Sequence, residues 1–284
     1  MFNLRKCAPL LVVVVTACSS GQVTLTPPPP VKPILVDEKT PGCSGDNCDT
    51  LLLKFPELPG YIKKDVRTQI EAAIDTIMLA KFLEEGAVKD VDQFKANYFE
   101  LVRSAHERGG ESIPWEVRRV ARNLFANQSV LTIMIENDEF TGGAHGLSTK
   151  TLLSFDLRDG HRLLFSEVTD PARAQLLSTI GDFEFRKVRD VAPGRSLADA
   201  GFTFTGDKFA YNDNFGILAS SIVFHFDPYE IAPYYFGPTD LQLSSTALLA
   251  VLNRSSPAVR HLLQPEQQQP LSGPSAGVPQ GTTH

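Results

Sequence analysis

SVLTIMIENDEFTGGAHGLSTKTLLSFDLRDGHRLLF, residues 129–165, holds two apolar runs separated by a glycine-rich bend and closed by a turn. Over Ser129–Asn137, Leu131, Ile133 and Ile135 alternate on one face, the period-two pattern of a strand. Leu147–Leu157 predicts a second strand. Asp159-Gly160 then gives a hairpin signal, and His161–Phe165 predicts the return strand. Strands that follow one another through short turns pair antiparallel, which sets the class of sheet.

Reading outward towards the N-terminus, Leu51–Phe55 is a short apolar run stopped by Pro56. Ile62, Val66, Ile70, Ile74, Ile77 and Leu79–Phe82 recur at helical spacing, with Asp65, Arg67, Glu71 and Asp75 between them. That pattern predicts an amphipathic helix over 61–85. A second helix is expected over 91–108, on Phe94, Tyr98, Leu101 and Val102. Towards the C-terminus, Asp170-Pro171 reads as a helix start continued by Leu176, Leu177, Ile180 and Phe183. Phe202–Thr205 and Phe209–Asn212 predict strands joined by Gly206-Asp207-Lys208, and Ile217–Phe226 a long one. Leu241 and Leu243 predict the last strand, and Ser244 or Ser245 caps a helix through Leu252. Helices inserted between groups of turn-linked strands give an α+β fold with a largely antiparallel sheet and packed helices. The expected division is a small N-terminal module, 50–125, and a larger C-terminal one, 126–253. No repeat of period 20–50 is visible.

The ends of the chain have a different composition. Arg5 and Lys6, then Pro9–Val15 flanked by Ala8 and Thr16, have the order of an export signal, with too short an apolar run to span a bilayer. Val15-Thr16-Ala17-Cys18 looks like a lipobox, so residues 1–17 are the expected signal peptide and Cys18 the expected lipidated residue. An ordinary secretory signal with a chance cysteine is the plainer reading. Lipidation predicts a membrane-anchored protein of the bacterial cell envelope. Ser19 after Cys18, with no Asp there, is compatible with export to an outer membrane, facing the periplasm, where the organism has one; the outer face of the inner membrane is the alternative. Residues 18–49 are the expected tether, with the polyproline signal Pro27–Pro30. The tail 264–284, rich in Gln, Pro, Gly and Ser, has the composition of a disordered segment. Within the tether, Cys43 and Cys48 form an even pair, and in an oxidising compartment they predict a disulfide. A metal site with Asp46 and Asp49 is the alternative, although no second Cys or His pair follows at ligand spacing.

Hydrophobic residues make up 42% of the 284, enough for a folded core. The formal charge of -6 falls to -8 without Arg5 and Lys6, and no block of Lys and Arg occurs. Phosphate contacts need clustered positive charge, so nucleic acid and anionic lipid headgroups are poor partners. A basic protein is electrostatically allowed.

Two stretches are distinctive: Glu139-Phe-Thr-Gly-Gly-Ala-His-Gly146, and Val223-Phe-His-Phe-Asp-Pro-Tyr-Glu-Ile-Ala-Pro-Tyr234 followed by Gly237-Pro238. Together, and with the strand and helix at 51–85, they resemble the RsiV-type domain of bacterial envelope proteins over roughly 50–253. The resemblance implies a paired small and larger domain. In that family one member is the extracellular part of an anti-sigma factor that binds lysozyme, and a related N-terminal module accompanies peptidoglycan deacetylase domains. No transmembrane helix, sigma-binding segment or following deacetylase domain is legible in this sequence.

On the residues themselves, Gly142 and Gly143 allow positive φ or close approach. His145 either staples that bend or presents a titrating group to a ligand. Asp227-Pro228-Tyr229-Glu230 reads as a strand breaking into a turn. Tyr229, Tyr234, Tyr235 and Phe236 are either contact residues on a loop or rings packed on the sheet. The candidate binding set is His145, Gly142, Gly143, Tyr229, Glu230, Tyr234 and Tyr235; no catalytic residue, metal ligand or cofactor is assigned.

The sequence contains no Gly-x-Ser-x-Gly elbow, no zinc-protease continuation of His106-Glu107, no phosphate-binding Gly-Lys-Ser/Thr loop and no Ser-x-x-Lys. A pair of glycosidase carboxylates is open among 33 acidic residues. Three readings therefore stand. One is a tethered, non-catalytic recognition domain for an envelope component, in its most specific form a lysozyme-like muramidase. The second is a peptidoglycan-modifying enzyme or an accessory subunit of one. The third is a purely structural lipoprotein. A His–carboxylate pair or deep pocket around His145 would favour the enzyme, and exposed tyrosines on a shallow surface would favour protein binding.

Overall fold

A computed structural model describes residues 34–45, 47–82, 86–109 and 113–264. The signal peptide, Cys18, the proline run and the tail from 265 lie outside the described residues. Leu35–Lys39 (β1) and Thr50–Lys54 (β2) pair antiparallel. Lys64–Met78 (α1) and Val91–Gly109 (α2) form the crossover to Glu116–Ala126 (β3), which lies parallel to β2. Val130–Phe140 (β4) and Leu147–Asp156 (β5) extend the sheet antiparallel, in the order β1-β2-β3-β4-β5. Phe165–Val168 (α3) and Ala174–Val188 (α4) follow. Phe215–Ile217 (β6), Ser221–Phe226 (β7) and Thr239–Ser244 (β8) then form a three-stranded antiparallel sheet. Ser245–Leu248 (α5), capped by the Ser244 side chain, and a 3-10 helix over Pro257–Leu263 complete the described chain.

Val130–Ile135 of β4 and Leu152–Asp156 of β5 are buried on both faces of the five-stranded sheet. Leu131, Ile133 and Ile135 of β4 share one core with Val66, Ile70, Ile74 and Met78 of α1 and with Phe94, Tyr98 and Val102 of α2. The i, i+4 spacing of the α1 residues lines them up on one stripe, which is why this helix was legible in the sequence. The opposite face meets the second sheet through hydroxyls. Thr132 Oγ1 donates to the Ile217 carbonyl at 2.6 Å, and the Ile217 amide donates to Ser154 Oγ at 3.0 Å. A central strand buried on both sides carries small polar residues only where each finds a partner. The second core, between this sheet and α4, is rich in aromatic residues: Phe165, Phe185, Phe202, Phe209, Phe215, Phe224 and Phe226.

Cys43 and Cys48 are disulfide-bonded, with Cα atoms 5.9 Å apart. Asp49, next in the chain and buried, accepts from the Thr40 hydroxyl at 2.6 Å and the Trp115 amide at 2.8 Å.

Several expectations need correction. Residues 35–39, read as tether, form β1, because Val36 completes the apolar face above β2 and Glu38 on the same face pairs with Lys95 of α2, while Asp37 and Lys39 face outward. β3 escaped the sequence reading because one of its inward positions is Arg119, only 4% exposed. Its guanidinium is satisfied by Glu139 at 2.8 Å, Asn137 at 3.0 Å and the Met78 and Ala80 carbonyls, and lies over the rings of Phe82 and Phe94. The expected module boundary at 125/126 thus falls at the end of β3, whose partner β4 continues the same sheet.

The turn at Asp159-Gly160 forms, but the return strand does not. A single bridge, Phe155 to Arg162, precedes α3, so Phe165 turns into the aromatic core. Residues 202–205 and 209–212 are not strands; they are irregular chain about a 3-10 turn, Thr205–Asp207, with their phenylalanines clustered on Phe185. The long strand 217–226 is two, β6 and β7, reversed at 218–220. The first helix runs over 64–78, not 61–85, and the last helix ends at Leu248, short of Leu252.

Candidate functional site

The bend between β4 and β5 depends on Gly142, which has φ +84° and would set any Cβ 3.5 Å from Trp115 Nε1. The bend carries His145 outward, where its ring stacks on Tyr234 with centroids 4.2 Å apart and planes 19° from parallel. Tyr234 in turn lies against Tyr229, with centroids 5.3 Å apart. The Tyr234 hydroxyl donates to the Gly146 carbonyl at 3.3 Å. Tyr235 leans on Phe236 at 4.7 Å and is 82% exposed. Tyr229, 60% exposed, has φ +71°, a left-handed conformation that costs a bulky residue about 1–2 kcal/mol. A strained, exposed aromatic at a turn is a feature of functional surfaces more often than of packing.

Most of the candidate residues therefore meet. His145, Tyr229 and Tyr234 form one ring stack from segments about 85 residues apart, with Tyr235 beside it and Gly142 and Gly143 in the exposed bend. Glu230, although exposed, folds back onto its own turn instead. Its carboxylate accepts from the Asp227 amide at 2.8 Å and the Asn212 side chain at 2.7 Å, closing the turn.

Beneath the stack lies a residue quoted in the motif but given no role: His225, 2% exposed on β7. Its Nδ1 is 2.6 Å from Asp240 on β8, and its Nε2 is 3.1 Å from Asp227. Asp227 also accepts the Lys150 amide of β5 at 2.8 Å, and Lys150 Nζ reaches Asp240 at 3.0 Å. Burial by itself would push the imidazole down; its hydrogen bonds to Asp227 and Asp240 outweigh that and raise it above the ordinary histidine value. Asp240 is held down to about 2, first by its hydrogen bond to His225, against the cost of burial, and then by Lys150. The legible signal was a histidine inside an apolar strand with an acid two residues on. On the far side, Arg189 donates to the Phe236 carbonyl at 3.0 Å and lies over the Phe202 and Phe236 rings.

Three grooves lie elsewhere, on the N-terminal part of the chain. The largest, about 800 Å³, runs along α2 beside Phe82, Val88, Phe94 and Leu101. A second, of 490 Å³, follows residues 54–60, and a third, of 520 Å³, lies between Thr40 and α2. In the third, His106 Nε2 is 3.3 Å from Asp49, so this His–carboxylate pair is at His106 and not at His145. Metal-assisted hydrolysis needs about three protein ligands on one ion. Among the described residues no such group of His, Cys, Asp or Glu exists. Nor is any helix among them long and apolar enough to cross a membrane.

Fold and surface define an α+β protein of two cores fused through one sheet, with an exposed aromatic stack at their seam. Residues 44–148 match the family described as Deacetylase PdaC, and residues 165–245 match DUF3298, a protein family of unknown function. A crystal structure of a DUF3298 family member from Bacteroides fragilis superposes with a TM-score of 0.63 at 20% identity, covering 81% of this chain and 95% of that one. A DUF3298 family protein from Pseudomonas aeruginosa gives 0.60 at 14% identity, covering 80% and 94%. At these identities the likeness is one of fold. No curated protein sequence matches. His145 lies in the first matched segment, and Tyr229 and Tyr234 in the second, so the stack needs both.

Proposed function

We propose that this chain is a lipid-anchored envelope protein, held at Cys18 on the periplasmic side of an outer membrane, whose aromatic stack is a non-catalytic recognition surface for a basic protein, in its most specific form a lysozyme-like muramidase. The observation that carries the reading is the convergence of His145, Tyr229 and Tyr234, with Tyr235 82% exposed next to them. Exposed tyrosines offer contact area with a polar tip at small entropic cost, and a formal charge of -6 suits a cationic partner. The RsiV-type resemblance is compatible with this. The test is binding of the purified chain to a lysozyme-type muramidase and, separately, to peptidoglycan. Tyr234→Ala or Tyr235→Ala is expected to weaken muramidase binding about thirtyfold, the size of a central interface tyrosine. Unchanged binding in both variants would refute this surface. For the anchor, a fatty-acid analogue fed to cells should label the wild type and not Cys18→Ser.

The match of residues 44–148 to Deacetylase PdaC favours a second reading, a peptidoglycan-modifying enzyme or an accessory subunit of one. Acetate released from peptidoglycan fragments by the purified chain, and lost in His145→Ala without loss of fold, would replace recognition by catalysis.

A further inference from the structure

The segment that carries the tyrosines begins at an ionic junction that neither matched family explains. Asp227 ends β7, and one of its oxygens faces both His225 Nε2 at 3.1 Å and the Lys150 amide of β5 at 2.8 Å. Three residues on, Glu230 folds back onto the Asp227 amide. Asn212 links Glu230 to the His225 carbonyl at 2.7 Å, and Asn214 pairs with the Lys150 carbonyl at 2.7 Å and the Leu152 amide at 2.7 Å. Asn214 thus imitates a strand along the outer edge of β5, where a bare edge would expose unpaired peptide groups. Four residues before Lys150, Gly146 meets the Tyr234 hydroxyl. The path from the tyrosine segment to the His145 bend runs through His225, Asp227 and Lys150.

A neutral imidazole has one N–H donor, and a carboxylate only accepts. With a carboxylate oxygen at each ring nitrogen, His225 satisfies both only as the imidazolium. If it were neutral, one of them would face a bare nitrogen lone pair inside the fold.

We propose that the imidazolium of His225, clamped between Asp227 and Asp240, is the positioning device of the recognition surface, holding the 227–236 segment against β5 so that the ring stack forms only while His225 keeps its proton. The charged groups around it are Asp227 at the end of β7, Asp240 on β8 and Lys150 on β5, with Glu230 behind Asp227. Because the proton is held more tightly in the fold than in the open chain, the clamp is intact below the ordinary histidine value and opens as pH rises through the raised value of His225. It also opens in strong acid, where Asp240 takes up a proton near pH 2.

The inference rests on the recognition reading for its meaning, but its test needs no partner. In the full chain with 13C-labelled histidines, the His145 ring signal reports Tyr234 directly, through the ring-current shift of a ring 4.2 Å away. The His145 shift is expected to disappear on alkaline titration with the same midpoint as His225. Asp227 is partly exposed, and in Asp227→Asn at least half of the shift should be gone at a pH where wild-type His225 is protonated, with far-UV circular dichroism unchanged. His225→Gln should do the same; if that buried substitution unfolds the chain, Asp227→Asn and the wild-type titration decide. A His145 shift that survives in folded Asp227→Asn, or one that persists after His225 has lost its proton, overturns the clamp. Loss of the stack in Asp227→Asn with muramidase binding unchanged keeps the clamp and overturns the recognition reading instead.

Discussion

Between the five-stranded sheet and α1–α2, the buried side chains are mostly aliphatic: Leu51, Leu53, Ile70, Ile74, Ile133 and Ile135. The core of the second sheet and α4 adds to its aliphatic residues a cluster of seven buried phenylalanines. The ring of Phe185 meets those of Phe202, Phe204 and Phe209 at centroid distances of 5.0–5.3 Å. Each half also holds a buried cation, in the second on the face of β7 opposite Phe224 and Phe226. In the first it is Arg119, permanently charged and spread over carbonyls, Glu139 and two rings; in the second it is His225, charged only while its proton stays. One half is therefore made of regular elements with a fixed charge. The other adds irregular chain packed round rings to its sheet and helices, with a charge that titrates, and supplies the tyrosines of the exposed aromatic surface.

The comparison breaks most readily at the centre of each core. Phe185→Ala should cost about 3–5 kcal/mol, since its ring is fully buried among others that cannot close the gap. Ile70→Ala and Ile74→Ala should each cost about 2–5 kcal/mol. Urea unfolding of the three variants measures this. Losses below half a kcal/mol at both isoleucines would make α1 peripheral, and a Phe185 loss below theirs would mean the aromatic core is loosely packed.

The cations separate the halves differently. Arg119→Ala leaves Glu139 and the C-terminal end of α1 without their partner and should cost about 3–5 kcal/mol on either side of the histidine range, since a guanidinium keeps its charge. His225 has its proton affinity raised by folding, so its contribution is complete below the ordinary histidine value and is lost as pH rises through the raised one. Hydrogen exchange followed upward from pH 7, corrected for intrinsic rate, should thus show 215–244 losing protection while β3–β5 and α1 keep theirs. Equal loss across both halves would remove the distinction between a fixed and a titrating charge.

Where the sequence was readable follows the same division. α1 and α2 pack by repeating aliphatic or aromatic positions on a single stripe, and periodicity finds such stripes. β4 showed its alternation for the same reason. β3 did not, because Arg119 takes an inward position and charge reads as outward. In the second half, Phe202, Phe204, Phe209 and Tyr211 alternate as a strand would, yet each points into a ring cluster from irregular chain; alternation records burial and does not specify a ladder. The aromatic stack was partly visible as two unusual motifs. Its support was not, since His225 on β7 is joined to Lys150 through a carboxylate 77 positions from it in sequence.

The Cys43–Cys48 bond belongs to neither core but closes a loop at the edge of the first. The loop is short, so removing both cysteines as Cys43→Ala/Cys48→Ala should cost about 2–3 kcal/mol at most, with the fold kept. Mass spectrometry of the unreduced protein checks the bond, and two free thiols would exclude it. A larger loss would mean that the loop holds Asp49 in place and, through Asp49, the Trp115 end of β3.

The smallest effect on stability is expected where the effect on recognition is largest. Tyr235 is 82% exposed and rests on Phe236, whose own ring is held by Phe202 and by Arg189. Deleting a side chain with so little burial removes almost no apolar contact, so Tyr235→Ala should change unfolding free energy by less than about 0.5 kcal/mol. The same deletion on a contact surface removes a whole aromatic face, which is why about thirtyfold in affinity is expected there. The two measurements together separate ornament from function. If Tyr235→Ala destabilises the chain by as much as a buried isoleucine, the ring is structural and the exposed surface is only the outer skin of the aromatic core. If stability holds and the partner is lost, the second half differs from the first in purpose as well as in material: its rings are packed inside to hold the fold and arrayed outside to be met.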